Sequence, residues 1–152
     1  MADKLYWEDL VVGSEEWSDE LEVDREEMLA YNRKYDPWPI HADEEAAKNS
    51  PFGGIISSGG YTISLWYKST HMMGQKRGRP LAFLGVFDWH VKFQQPVYPG
   101  DQLRACAKIL GKKESSKPWR GHMESLVEMY NQKKEVVLSI QLKMLVERRP
   151  VQ

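Results

Sequence analysis

Cysteine is almost absent from this 152-residue chain: with Cys106 alone, no intrachain disulfide can form and the fold must be held by packing. A surplus of either charge is missing too. Lysine and arginine total 21 against 22 aspartates and glutamates, a formal net charge of −1, so nothing in the overall charge suits a nucleic-acid backbone or an anionic membrane surface. No apolar run approaches the roughly 18 to 20 residues that a membrane-spanning helix needs. The opening MADKLYWEDL has no cationic stretch followed by an apolar one. Together these absences predict a soluble, cytoplasmic protein whose ligand is a small molecule. The length suits one domain over residues 1–152.

What the chain does have is a change of hydrophobic period near its middle. Glu16 to Val23 reads as a first strand, and Asp24 followed by Glu27 reads as the capped start of a helix that ends near Lys34. Asp43 to Lys48 reads as a short helix with acids in its first turn. A longer helix follows from Ser58-Gly59-Gly60, with Tyr61 to about Met73 as its body and Gly74 as its stop. From Leu81 onward the pattern is that of four strands, with turns at 96–101, near 111–118 and at 131–134. Leu138, Ile140, Leu142, Met144 and Val146 alternate with polar residues, so one sheet face is buried and the other wet. The expectation is an α+β domain, an antiparallel meander with helices against a single face, and a mobile lysine-rich loop over 112–117.

Chemistry concentrates in Tyr35-Asp36-Pro37-Trp38-Pro39-Ile40-His41. The two prolines prevent a helix from running across the segment and restrain Asp36 and Trp38, the residues that precede them. A carboxylate and an imidazole that converge can hold a water between them, one taking its proton as the other supplies one. The plainer alternative is that Asp36 caps a turn and His41 packs at a helix start. Downstream, the glycine-punctuated stretch from Phe52 to Thr62 opens the long helix. Free N–H groups there, at Ser58, Gly59 and Gly60, could receive an anionic oxygen, although the glycines could equally serve tight packing.

Three segments in the same order resemble the MaoC-like acyl dehydratases, which include the type 2 (R)-specific enoyl-CoA hydratases. These segments are Asp36, Pro39, Ile40, His41 and Ala47; Phe52 to Gly59; and Phe93 to Asp101. The resemblance covers nearly the whole chain. It implies a hot-dog fold, a long central helix wrapped by an antiparallel sheet. The implied reaction is reversible syn addition of water to a trans-2-enoyl thioester, giving a (R)-3-hydroxyacyl thioester. Asp36 and His41 would be catalytic, and the Gly59 N–H would bind the thioester oxygen. No metal or redox cofactor is expected, with coenzyme A or phosphopantetheine as part of the substrate. A homodimer or higher homo-oligomer is implied, with Trp89, Val91 and Phe93 on the strand that pairs across the interface.

The chain departs from the better-known hydratases at Tyr35 and Trp38, where those carry glycine and asparagine, and at Ser58 and Tyr67. Trp38, Trp66 and Tyr67 are therefore expected as pocket wall, favouring a short, branched or aromatic acyl group. Arg77 and Arg79 are candidates for phosphate contact or simple solvation. His71, His90 and His122 lack metal-ligand spacing, and nothing near Cys106 in sequence would activate it. A thioesterase on the same fold and a noncatalytic acyl-thioester binder are the alternatives.

Overall fold

The computed structural model describes residues 3–152. After a short 3-10 turn at Trp7–Asp9, the chain forms β1 (Glu15–Trp17), β2 (Leu21–Glu22), α1 (Arg25–Tyr35), α2 (Pro39–Ala42), α3 (Glu44–Lys48) and α4 (Gly59–Arg77). Four long strands follow: β3 (Phe83–Phe93), β4 (Gln102–Glu114), β5 (Arg120–Tyr130) and β6 (Val136–Glu147). All pair antiparallel in the order β1-β4-β5-β6-β3, with β2 also on β4. This is the hot-dog arrangement, an α+β fold with α4 as the central helix.

Local chemistry sets the element ends. Asp24 accepts the Glu27 N–H at 2.8 Å and caps α1, while Asp43 accepts from Glu45 and Ala46 to cap α3. Alternation along β5 buries Met123, Val127 and Met129, and along β6 it buries Leu138, Ile140, Leu142, Met144 and Val146. Tyr61, Leu65, Trp66 and Met73 of α4 join the same core. Burial of each leucine- or isoleucine-sized side chain stabilises by about 1.5–3 kcal/mol relative to leaving it exposed.

Five expectations are corrected. The first strand is two strands, because Ser18 turns its buried hydroxyl into the ladder: the Ala105 N–H donates to Ser18 Oγ at 2.9 Å in place of a backbone carbonyl. A helix does form within the proline segment. Pro39 occupies the first position of α2, where its fixed φ is already helical and its missing N–H is not needed. Trp38 before it is extended, at φ −59° and ψ 147°. Gly74 does not stop α4; the helix ends at Gly78, which adopts φ +75° and donates its N–H to the carbonyls of Gly74 and Gln75. β4 continues through Lys112 and Lys113, so the loop is confined to 115–119. The four long strands are not a meander in chain order, because β3 pairs with β6 and forms an open edge.

Candidate functional site

The break between α1 and α2 builds the site. Asp36 follows the last residue of α1 and donates its N–H to the Asn32 carbonyl, and Pro37 prevents the helix from continuing. α2 then restarts two residues later and turns His41 back toward Asp36. The His41 Nε2 lies 3.8 Å from Asp36 Oδ2. The His41 side chain is 11% exposed and that of Asp36 36%, so the carboxylate is the more open member of the pair.

The segment before α4 fixes the imidazole. Ile56 donates its N–H to the Ile40 carbonyl, and its own carbonyl lies 2.9 Å from His41 Nδ1. A carbonyl only accepts, so Nδ1 carries the hydrogen, and Nε2 is the ring nitrogen that faces Asp36. Ser57 in turn donates its N–H to the Val97 carbonyl, and Asp101 Oδ2 accepts the Tyr98 N–H, so the turn after β3 braces the start of α4. All three segments singled out in the sequence meet here.

Ser58 occupies the N-cap of α4 but leaves the helix uncapped, because its hydroxyl donates to Asp36 Oδ2 at 2.9 Å. Its N–H donates to Asn32 Oδ1 at 3.1 Å. Both Ser58 donors are thus engaged within the protein, and the first-turn N–H groups of Gly59 and Gly60 are the ones left for an anionic oxygen. Packing also requires these glycines. A Cβ on Gly59 would meet the Phe93 ring at 2.9 Å, and one on Gly60 would collide with the Tyr31 hydroxyl. The Tyr31 ring lies tilted against those of Tyr35 and Tyr61, and Tyr61 donates its hydroxyl to Glu27 Oε1 at 2.7 Å. Burial, and then the Glu27 carboxylate, push the Tyr61 phenol well above its usual range, which keeps it a neutral strut.

Residues 13–131 match the family described as MaoC like domain. The chain belongs to the MaoC-like dehydratase family. It is 31% identical over 128 residues to the uncharacterized protein YdeM of Bacillus subtilis, covering 84% of this chain and 89% of that one. It is 32% identical over 101 residues to 3-hydroxyacyl-thioester dehydratase Z of Mycobacterium tuberculosis, covering 66% of this chain and 64% of that relative. Among solved structures, the MaoC-like dehydratase from Rhodospirillum rubrum superposes with a TM-score of 0.85 at 33% identity, over 97% of this chain and 99% of that one.

Against this MaoC-like frame the remaining candidates separate. Trp66 is buried and Tyr67 half-exposed, and both line a cavity of about 1020 Å³ between the second half of α4 and β3, together with His71, Phe87, Trp89 and Met144. Trp38 is 66% exposed and is not among the residues lining this space, so it does not form its wall. A second cavity of about 290 Å³ lies between α4 and the sheet, next to Met73, Ile109, Met123 and Leu142. Neither cavity reaches Asp36 or His41. Arg77 pairs with Glu16, and Arg79 binds Asp3, Asp9 and the Lys4 carbonyl, so both guanidinium groups are already committed to protein partners. His71, His90 and His122 lie on α4, β3 and β5, and the His122 ring meets Phe87 edge-on at 5.4 Å. Cys106 is half-buried on β4, and burial pushes its thiol pKa up, which works against nucleophilicity.

Asn32 was missed in the sequence. The signal was present: it continues the buried stripe of Met28 and Leu29 on α1, a position that should be apolar unless its amide has partners.

Proposed function

We propose that this protein reversibly hydrates a trans-2-enoyl thioester, with coenzyme A as the thiol, to the (R)-3-hydroxyacyl thioester. The observation that carries this reading is the convergence of His41 Nε2 and Asp36 Oδ2 at 3.8 Å, both as acceptors. One water oxygen can lie about 2.8 Å from each, giving a hydrogen to each group. Its lone pair is then directed away from the protein, toward C3 of the substrate. As the C3–O bond forms, the C2=C3 electrons move toward the thioester carbonyl and its oxygen becomes an enolate. The uncapped start of α4, at the N–H of Gly59, stabilises that charge. The dyad takes one proton from water and one proton is returned to C2, so water is added overall and no other reactant is consumed. Dehydration is the reverse. The relative named as a 3-hydroxyacyl-thioester dehydratase supports the same class of substrate.

A second copy of the chain completes the proposal. Among the described residues β3 pairs on one side only, its Asp88–Phe93 half is regular, and Phe87, Trp89 and Phe93 are exposed along it. The dyad itself lies outside both of these cavities. Pairing of β3 with a second β3 would cover the apolar edge and wall the site.

The test is absorbance at the enoyl-thioester band with crotonyl-CoA, with a thiol reagent in parallel. Hydration lowers the absorbance without releasing thiol. Thiol release would identify a thioesterase and overturn the reading.

A further inference from the structure

We infer that Asn32 is a positioning residue that fixes the tautomer of His41 and the seat of Ser58 on Asp36, a role that rests on the hydratase reading of the dyad. The side chain is fully buried, one helical turn before Asp36. Its Nδ2 donates to the His41 carbonyl at 3.0 Å and to the Ile56 carbonyl at 3.2 Å, its Oδ1 accepts the Ser58 N–H at 3.1 Å, and its own carbonyl accepts the Asp36 N–H at 2.9 Å. One residue therefore bonds directly to Asp36, His41, Ile56 and Ser58.

The bond to Ile56 matters most for chemistry. That carbonyl also receives Nδ1–H of His41, so it accepts from both side chains at once. The carbonyl oxygens of His41 and Ile56 converge on the same amide nitrogen. Without the two N–H groups between them they repel, and the Ile56 carbonyl is free to turn away from Nδ1. The imidazole then has no fixed acceptor for Nδ1–H, and the other tautomer, with a hydrogen on Nε2, becomes populated. That form cannot accept a proton from water. Aspartate at this position would oppose a carboxylate to two carbonyls, and glutamine is one methylene too long for the same three bonds. Asparagine satisfies the geometry and, in a buried place, leaves no polar atom unpaired.

The experiment is long-range proton–nitrogen correlation NMR on the imidazole of His41, with no substrate present, in wild type and in Asn32→Leu. Wild type should show a single tautomer with hydrogen on Nδ1. Asn32→Leu should show a mixture, with kcat for crotonyl-CoA lowered about tenfold or more and KM changed far less. Asn32→Ser, which puts one hydroxyl in place of the amide, serves if the leucine variant does not fold. A wild-type ring with hydrogen on Nε2 would overturn the inference without any variant. So would a folded variant that keeps the Nδ1–H tautomer and a kcat within twofold of wild type. Because the tautomer is read without substrate, a shift in it alongside wild-type inactivity toward enoyl thioesters would instead fault the hydratase reading.

Discussion

At the scale of single residues, the site is crowded by side chains whose space is fixed on both sides. Gly60 is the clearest case, since the Tyr31 hydroxyl occupies the place of its missing Cβ. Gly60→Ala should lower stability by about 1–3 kcal/mol as an overpacking change, read from the urea midpoint, and Tyr31→Phe should restore part of the loss. A Gly60→Ala protein as stable as wild type would show that Tyr31 yields freely. Asp36 and His41 were legible from sequence because two prolines between them leave few ways to arrange the backbone. Their tautomer and hydrogen-bond partners were not, since these depend on Asn32 and Ile56, whose contact with His41 spans 9 and 15 residues. The role of Ser58 changed for the same reason. A serine at a helix start is normally a cap, and here Asp36 competes successfully for its hydroxyl.

At the scale of elements, periodicity located the long strands and α4, while the pairing order escaped it. Alternation says which face of a strand is buried and nothing about its neighbour. The return of β3 beside β6 leaves an 11-residue strand with a free edge. Light scattering on the purified protein should give twice the chain mass of 17.7 kDa, and Phe87→Lys should shift it toward a single chain. A wild-type protein that remains a monomer at micromolar concentration would contradict the edge-pairing proposal. The interruption of the first strand at Ser18 was also invisible, because it turns on one hydroxyl substituting for a carbonyl opposite Ala105.

At the scale of the whole molecule, the described chain is clasped near its two ends. Arg149 binds both carboxylate oxygens of Asp9, at 2.6 and 2.7 Å, and its N–H joins the Arg148 side chain on Glu8. The Tyr6 N–H first, and then Arg149 against a desolvation that opposes it, hold the Asp9 carboxyl below its ordinary value. Asp9 therefore binds its proton less readily folded than unfolded. The clasp contributes stability above the ordinary aspartate value of 3.8 and loses it as pH falls through and below that point. Melts of wild type and Arg149→Ala should differ near neutrality and converge in acid; a gap that does not narrow would mean the contact carries no such linkage. The clasp shares no residue with the dyad or its hydrogen-bond partners, so chemistry can be tested with the clasp left intact. The most direct measurement is the enoyl-band assay with crotonyl-CoA on wild type, Asp36→Asn and His41→Gln, each verified as folded. Wild type should hydrate the thioester, and both variants should fall by at least about 100-fold. Undiminished hydration by either folded variant would contradict the dyad.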